Sequence, residues 1–130
     1  LVDIPDFRAG IREMARVLAP GGSLLVANSN AFNTACGDVG WIEDAAGHAM
    51  YYPVDRYLEE RSMWIDYRGI RVINHHRPLS AYFRALLDAG LQLVSFDAPA
   101  PAPDAPEPRA SRYRRAPWFH VMEWRRPAAT

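Results

Sequence analysis

The stretch REMARVLAPGGSLLVANSN, Arg12 to Asn30, decides the fold. Its first half extends a segment in which Phe7, Ile11, Met14 and Leu18 recur at helical spacing, with Arg12, Glu13 and Arg16 on other faces. That is the pattern of an amphipathic helix lying on a sheet, and Asp3 or Asp6 can cap its start. Pro20, Gly21 and Gly22 end it, since proline disfavours a helical residue before it and glycine readily takes positive φ. SLLVA then runs apolar without alternation, which predicts a parallel strand covered on both faces. Asn28, Ser29 and Asn30 mark its carboxyl end, the side on which open α/β sheets bind ligands. Ligand contact and an ordinary polar loop weigh equally there.

The same unit recurs downstream. Ser80 is a candidate cap, Tyr82, Phe83, Leu86 and Leu87 form an apolar stripe, Gly90 stops the helix and LQLVSF follows as a strand. Two consecutive helix–strand units specify an α/β sheet. The proline-rich run from Ala98 to Pro108 supports neither helix nor central strand, and WFHVMEW, Trp118 to Trp124, has the aromatic and β-branched content of a closing strand. Between Asn30 and Arg77 lies an insertion dense in aromatic residues, too long to be structureless in a compact domain. Within it, SMWIDYRGIRVIN around Gly69 reads as a hairpin.

Composition narrows the function. The 130 residues fit one domain or a piece of one. Fifteen basic residues balance fifteen acidic ones, so no net field recruits nucleic acid or an anionic membrane. A lone cysteine, Cys36, cannot close an internal disulfide, which suits a reducing, cytoplasmic setting. No apolar run approaches the ~20 residues of a membrane span. The chain opens with LVDIPDF rather than methionine, and the expectation is an interior starting point and a fragment. Nucleotide-loop, zinc-protease, paired-cysteine and nucleophile-elbow motifs are all missing, and His48, His75, His76 and His120 follow no ligand spacing, so no metal is expected.

Three groups of side chains bear on chemistry. NHHRPLS, Asn74 to Ser80, puts two imidazoles and a guanidinium just before a helix. Histidine serves as a general base near neutral pH, and arginine holds a carboxylate in a bidentate fork; taken without a partner motif, a surface loop with a cap is the stronger interpretation. The aromatic residues of the insertion, among them Tyr51, Tyr57 and Trp64, suit a pocket for a flat substrate, though a satellite core accounts better for any one of them. Arg109, Arg112, Arg114 and Arg115 around Tyr113 read as a solvated basic loop.

The order of pieces resembles a known family. DIPDFRAGIREMARVLAPGGSLLVAN is similar to the segment of class I S-adenosylmethionine-dependent methyltransferases, type 11 group, that runs from the end of the fourth strand through a helix closing in E-x-x-R-V-L-x-P-G-G into the fifth strand. HHRPLSAYFRALLDAGLQLVSFDAPAP resembles the later helix and sixth strand, and APWFHVMEWRRP the antiparallel seventh. The glycine-rich cofactor loop and the acidic residue after the second strand have no counterpart here. The resemblance implies the carboxyl-terminal half of a Rossmann-like α/β domain: helix and strand over 1–29, an inserted lid and acceptor pocket over 30–77, helix and strand over 78–97, a Pro/Arg-rich loop over 98–117, and the closing strand over 118–126. It implies methyl transfer from S-adenosylmethionine to a small-molecule acceptor by a longer chain, this fragment alone being inactive. Leu1, Val2, Asp3 and Ile4 are carried over as the remaining cofactor contacts. His75 or His76 is expected to take the acceptor's proton, with Asn28, Asn30, Tyr51, Tyr57, Trp64 and Arg77 around the substrate.

Two alternatives stand beside this. A non-catalytic α/β module would bind a protein partner, or a second copy as a homo-oligomer, through open sheet edges. Half of a nicotinamide-dependent Rossmann enzyme fits less well, because the P-G-G turn and the antiparallel closing strand suit the methyltransferase.

Overall fold

A computed structural model describes residues 1–128. Its element order is α1 (Phe7–Val17), β1 (Ser23–Ser29), α2 (Ala31–Ala35), β2 (Ile42–Glu43), β3 (Ala49–Tyr51), β4 (Arg61–Tyr67), β5 (Ile70–His76), α3 (Leu79–Asp88), β6 (Gln92–Asp97), α4 (Arg109–Arg115) and β7 (Phe119–Arg125). The main sheet runs β1-β7-β6, and β7 is antiparallel to both neighbours. β1 and β6 are therefore parallel to each other, separated by the returning last strand.

Each helix lies where its sequence sends it. The Asp6 carboxylate accepts from the Ala9 amide at 2.9 Å and caps α1, satisfying one of the free N–H groups of the first turn. Phe7, Ile11 and Ala15 of α1 bury against Tyr82 and Leu86 of α3, with Phe7 meeting Tyr82 edge-on at 5.1 Å. Val26 of β1 and Met122 and Trp124 of β7 complete this core, so both helices cover one face of the sheet. Met14, Leu18 and Phe83 are only partly buried at its margin, and Leu87 faces solvent. At the turn between α1 and β1, Gly21 has φ +77°, and a Cβ on Gly22 would lie 2.9 Å from the Ala19 carbonyl oxygen. Both glycines of the P-G-G signal are thus required by geometry.

Several expectations are corrected. β1 is not covered on both faces: Val26 and Asn28 are buried, while Leu25 on the opposite face is 71% exposed. Leu25, Phe119 and Val121 share that uncovered face. Ser80 does not cap α3. The N-cap is Pro78, which has no side-chain donor or acceptor to offer, and the Leu79 amide donates instead to the Tyr57 hydroxyl at 3.2 Å. The Pro/Arg-rich segment is not all loop, because Arg109–Arg115 form α4. Arg115 donates to the Ala49 and Met50 carbonyls at 2.6 and 2.7 Å and stacks over Trp41, while Arg112 pairs with Glu43 at 2.6 Å. These arginines pin the β2-β3 hairpin rather than standing in solvent.

The insertion holds α2 and two hairpins. β4 and β5 pair in continuous register from Arg61↔His76 to Tyr67↔Ile70, closed by Arg68 and Gly69, both at positive φ. Such a two-residue turn matches the right-handed twist of the strands it joins. Within the described residues no helix is long and apolar enough to cross a membrane.

Candidate active site

The carboxyl end of β1, the opening loop and the junction of β5 with α3 meet at one place. The Leu1 nitrogen donates to Asn28 Oδ1 at 3.0 Å, and the His75 amide donates to the Val2 carbonyl at 2.8 Å. Arg77 is 4% exposed and sends all its named bonds into the same loop: Nη1 to the Leu1 carbonyl at 3.1 Å, and Nη2 to those of Ile4 and Pro5 at 2.6 and 2.8 Å. Its guanidinium also lies 4.3 Å from the centre of the Phe7 ring. A buried cation normally needs a partner charge; here three carbonyl dipoles and a ring face hold it. Arg77 clamps the loop's backbone, and its charge is engaged by protein rather than turned toward a substrate carboxylate.

The two neighbouring histidines differ sharply. His76 is fully buried. Its Nε2–H donates to the Tyr57 carbonyl at 2.8 Å, and Nδ1 accepts from the Thr34 hydroxyl at 2.7 Å. Burial pushes its pKa down, against a smaller raising effect of the Tyr57 carbonyl. With both nitrogens engaged it ties α2 and the lid to β5 and has no free position for a substrate proton. His75, on the other side of β5, is only half-buried. Its Nδ1 lies 2.7 Å from the Ser62 hydroxyl on β4, its cross-strand partner, and Nε2 has no protein partner among the described residues. His75, His76, Arg77, Glu60, Ser62 and Pro5 line a cleft of about 160 Å³. On its rim Glu60 receives the Arg8 guanidinium in a two-pronged pair, and that bond holds its carboxyl below the ordinary range.

The remaining predicted substrate residues do not gather there. Tyr51 lines a separate cleft of about 390 Å³ with Phe32, Trp41, Tyr52 and Arg115. Trp64 stands 55% exposed on the outer hairpin beneath the Arg71 guanidinium, and Tyr57 is occupied in capping α3. Asn30 belongs to the tip of β1, where its Nδ2–H donates to the Pro117 carbonyl at 2.6 Å and its Oδ1 accepts from His120 Nδ1 at 2.9 Å. His120 had no signal in the sequence beyond its place in an alternating strand. Only the pairing Asn28↔His120 brings it to the site.

The sheet order decides the comparison. The antiparallel closing strand that the sequence resemblance implies is present, and it stands between two parallel strands with α1 and α3 on one face. No family model and no curated protein matches the chain. Solved structures do. A protein from Listeria monocytogenes assigned as an S-adenosylmethionine-dependent methyltransferase superposes with a TM-score of 0.88 at 28% identity over 97% of this chain. A second S-adenosylmethionine-dependent methyltransferase, from Mesorhizobium loti, superposes with a TM-score of 0.81 at 26% identity over 96% of it. The chain has the Rossmann-like fold of a class I S-adenosylmethionine-dependent methyltransferase. It spans 57% of the length of each of those two structures, consistent with the carboxyl-terminal half of the methyltransferase domain.

Proposed function

We propose that this chain supplies the acceptor-side half of a domain that transfers a methyl group from S-adenosylmethionine to a small-molecule acceptor, in the cytoplasm. The observation that carries this is the β1-β7-β6 order together with its match to two structures assigned to that chemistry. The residues present suit a cofactor edge: the loop Leu1–Ile4 is held against the carboxyl end of β1 through Asn28, at the side of an α/β sheet where ligands lie. Leu1, Val2, Asp3 and Ile4 form that edge in this proposal, and Arg77 keeps it in place.

S-adenosylmethionine, when bound, supplies an electrophilic methyl on a sulfonium. The chain's own task is alignment of the acceptor, which is worth up to ~7 to 11 kcal/mol in favourable cases. Asn28 and Asn30 border the acceptor at the tip of β1, and the insertion 30–77 excludes water from above. His75 is the residue of the pair that takes a proton from a hydroxyl acceptor, through its free Nε2, an effect of ~10² to 10⁴-fold. His76 serves as the clip beneath it.

The test uses the full-length protein. Calorimetric titration with S-adenosylhomocysteine should give saturable binding, and His75→Ala should lower turnover on a hydroxyl acceptor far more than it raises KM. No binding at all would remove the cofactor assignment. Equal activity of His75→Ala and wild type at every pH would remove the base. The uncovered apolar face of Leu25, Phe119 and Val121 supports a second reading, a partner-binding module or homo-oligomer, which predicts association without affinity for S-adenosylhomocysteine.

A further inference from the structure

Beneath the tip of β1 two buried polar atoms face no protein partner among the described residues: Asn28 Nδ2, on a residue 3% exposed, and His120 Nε2, on a residue fully buried. Asn28 and His120 stand directly opposite each other on β1 and β7, where side chains on one face have Cβ atoms about 4.5–5.5 Å apart. Their hydrogen-bonding characters are complementary, and the surrounding bonds fix both. Asn28 Oδ1 accepts from the Leu1 nitrogen, so the atom left over is the Nδ2 donor. Asn30 Nδ2 donates to the Pro117 carbonyl, which turns Asn30 Oδ1 toward the imidazole and requires a proton on His120 Nδ1. The left-over Nε2 of the neutral ring therefore carries a lone pair. Phe96 stacks on the ring at 5.3 Å and 22° and sets its plane.

A donor and an acceptor on directly opposed residues, both without partners among the described residues, match a group that accepts one hydrogen bond and donates another. We propose that Asn28 and His120 form a buried seat for a single hydroxyl: the Asn28 amide donates to its oxygen, and its proton is directed at His120 Nε2. Two ligands carry that group, an internal water and the alcohol of a bound organic molecule. Burial lowers the His120 pKa and keeps the lone pair available. Nearly all buried polar groups in native proteins find a partner, and the chain Pro117–Asn30–His120 fixes which nitrogen of this ring seeks one.

Side-chain ¹⁵N spectra of the full-length protein test the seat. His120 should appear as the neutral Nδ1–H tautomer, with Nε2 shifted from the free-imidazole position toward that of a hydrogen-bonded nitrogen, and Asn28→Ala should return it toward the free position. An Nε2–H tautomer, or a free-nitrogen shift in the wild type, overturns the proposal. High-resolution crystals grown without ligand and soaked with phenol as a probe alcohol separate the sources. One oxygen touching both nitrogens in both crystals identifies an internal water, and a phenol hydroxyl in its place identifies an organic ligand. No oxygen there in either crystal overturns the seat. Neither measurement depends on methyl transfer, so an intact seat in a protein without that activity would remove the proposed function alone.

Discussion

Acidification from pH 7.5 to 5.5 should destabilise this protein by an amount set by two histidines. His76 and His120 are fully buried, and burial lowers the pKa of each below the ordinary value of 6.5. As pH falls, the unfolded chain therefore takes up protons before the folded one, and stability falls with it; above 6.5 both states are neutral and the dependence vanishes. A ring that stayed neutral throughout would contribute ~1.4 kcal/mol over this interval by linkage, so that is the ceiling for each histidine and ~2.7 kcal/mol the ceiling for both. The carboxylates with lowered values, Glu59, Glu60, Glu107, Glu123 and Asp44, lose their contribution only as pH falls through the acid range below their ordinary values, outside this interval. Urea denaturation of the full-length protein at pH 7.5, 6.5 and 5.5 measures the loss. His120→Phe, which keeps an aromatic ring against Phe96, should remove part of it, up to ~1.4 kcal/mol. If the variant's loss matches that of wild type to within ~0.5 kcal/mol, His120 is not held neutral by burial.

Three further perturbations read other parts of the structure. Arg77→Met removes the donors to the Leu1, Ile4 and Pro5 carbonyls. The Leu1 carbonyl keeps the Ile4 amide and Pro5 is exposed, so the expected loss is mainly that of the Ile4 acceptor, ~1 to 3 kcal/mol, together with weaker S-adenosylhomocysteine binding. Unchanged calorimetric affinity would show that the clamp does not serve the cofactor edge. Tyr82→Phe should be neutral or stabilising by up to ~1 kcal/mol, since the buried hydroxyl has no partner among the described residues and the ring contact with Phe7 is kept; a clear loss in a thermal melt would reveal a bond to that hydroxyl. Gly22→Ala should cost ~1 to 3 kcal/mol by driving a Cβ against the Ala19 carbonyl, detectable as a lower denaturation midpoint.

The legible parts of this molecule were those whose information is local. Helix spacing in Phe7 and Ile11, the P-G-G stop and the Gly69 turn all follow from backbone preferences and one-dimensional periodicity, and each element stands where that predicts. Burial was harder to foresee, because an apolar run such as SLLVA shows what can be buried and not what covers it: Leu25 remains exposed although its neighbours do not. α4 was hidden because the prolines upstream dominate the segment, while its arginines act through carbonyls sixty residues away in sequence. The site was legible as a neighbourhood but not in its assignments. HHR lies where the opening loop meets the junction of β5 with α3, and sequence cannot distinguish a histidine with both nitrogens bound from one with a nitrogen free, since that depends on whether Thr34, Tyr57 or Ser62 lies across from it. His120 was invisible for the same reason in stronger form. Its orientation comes from Asn30, ninety residues earlier, and only the antiparallel register of β1 with β7 makes those two residues neighbours. The polar tip after SLLVA depends on the same register: Asn28 stands opposite His120 and Asn30 accepts from its Nδ1, a relation that one-dimensional spacing does not carry.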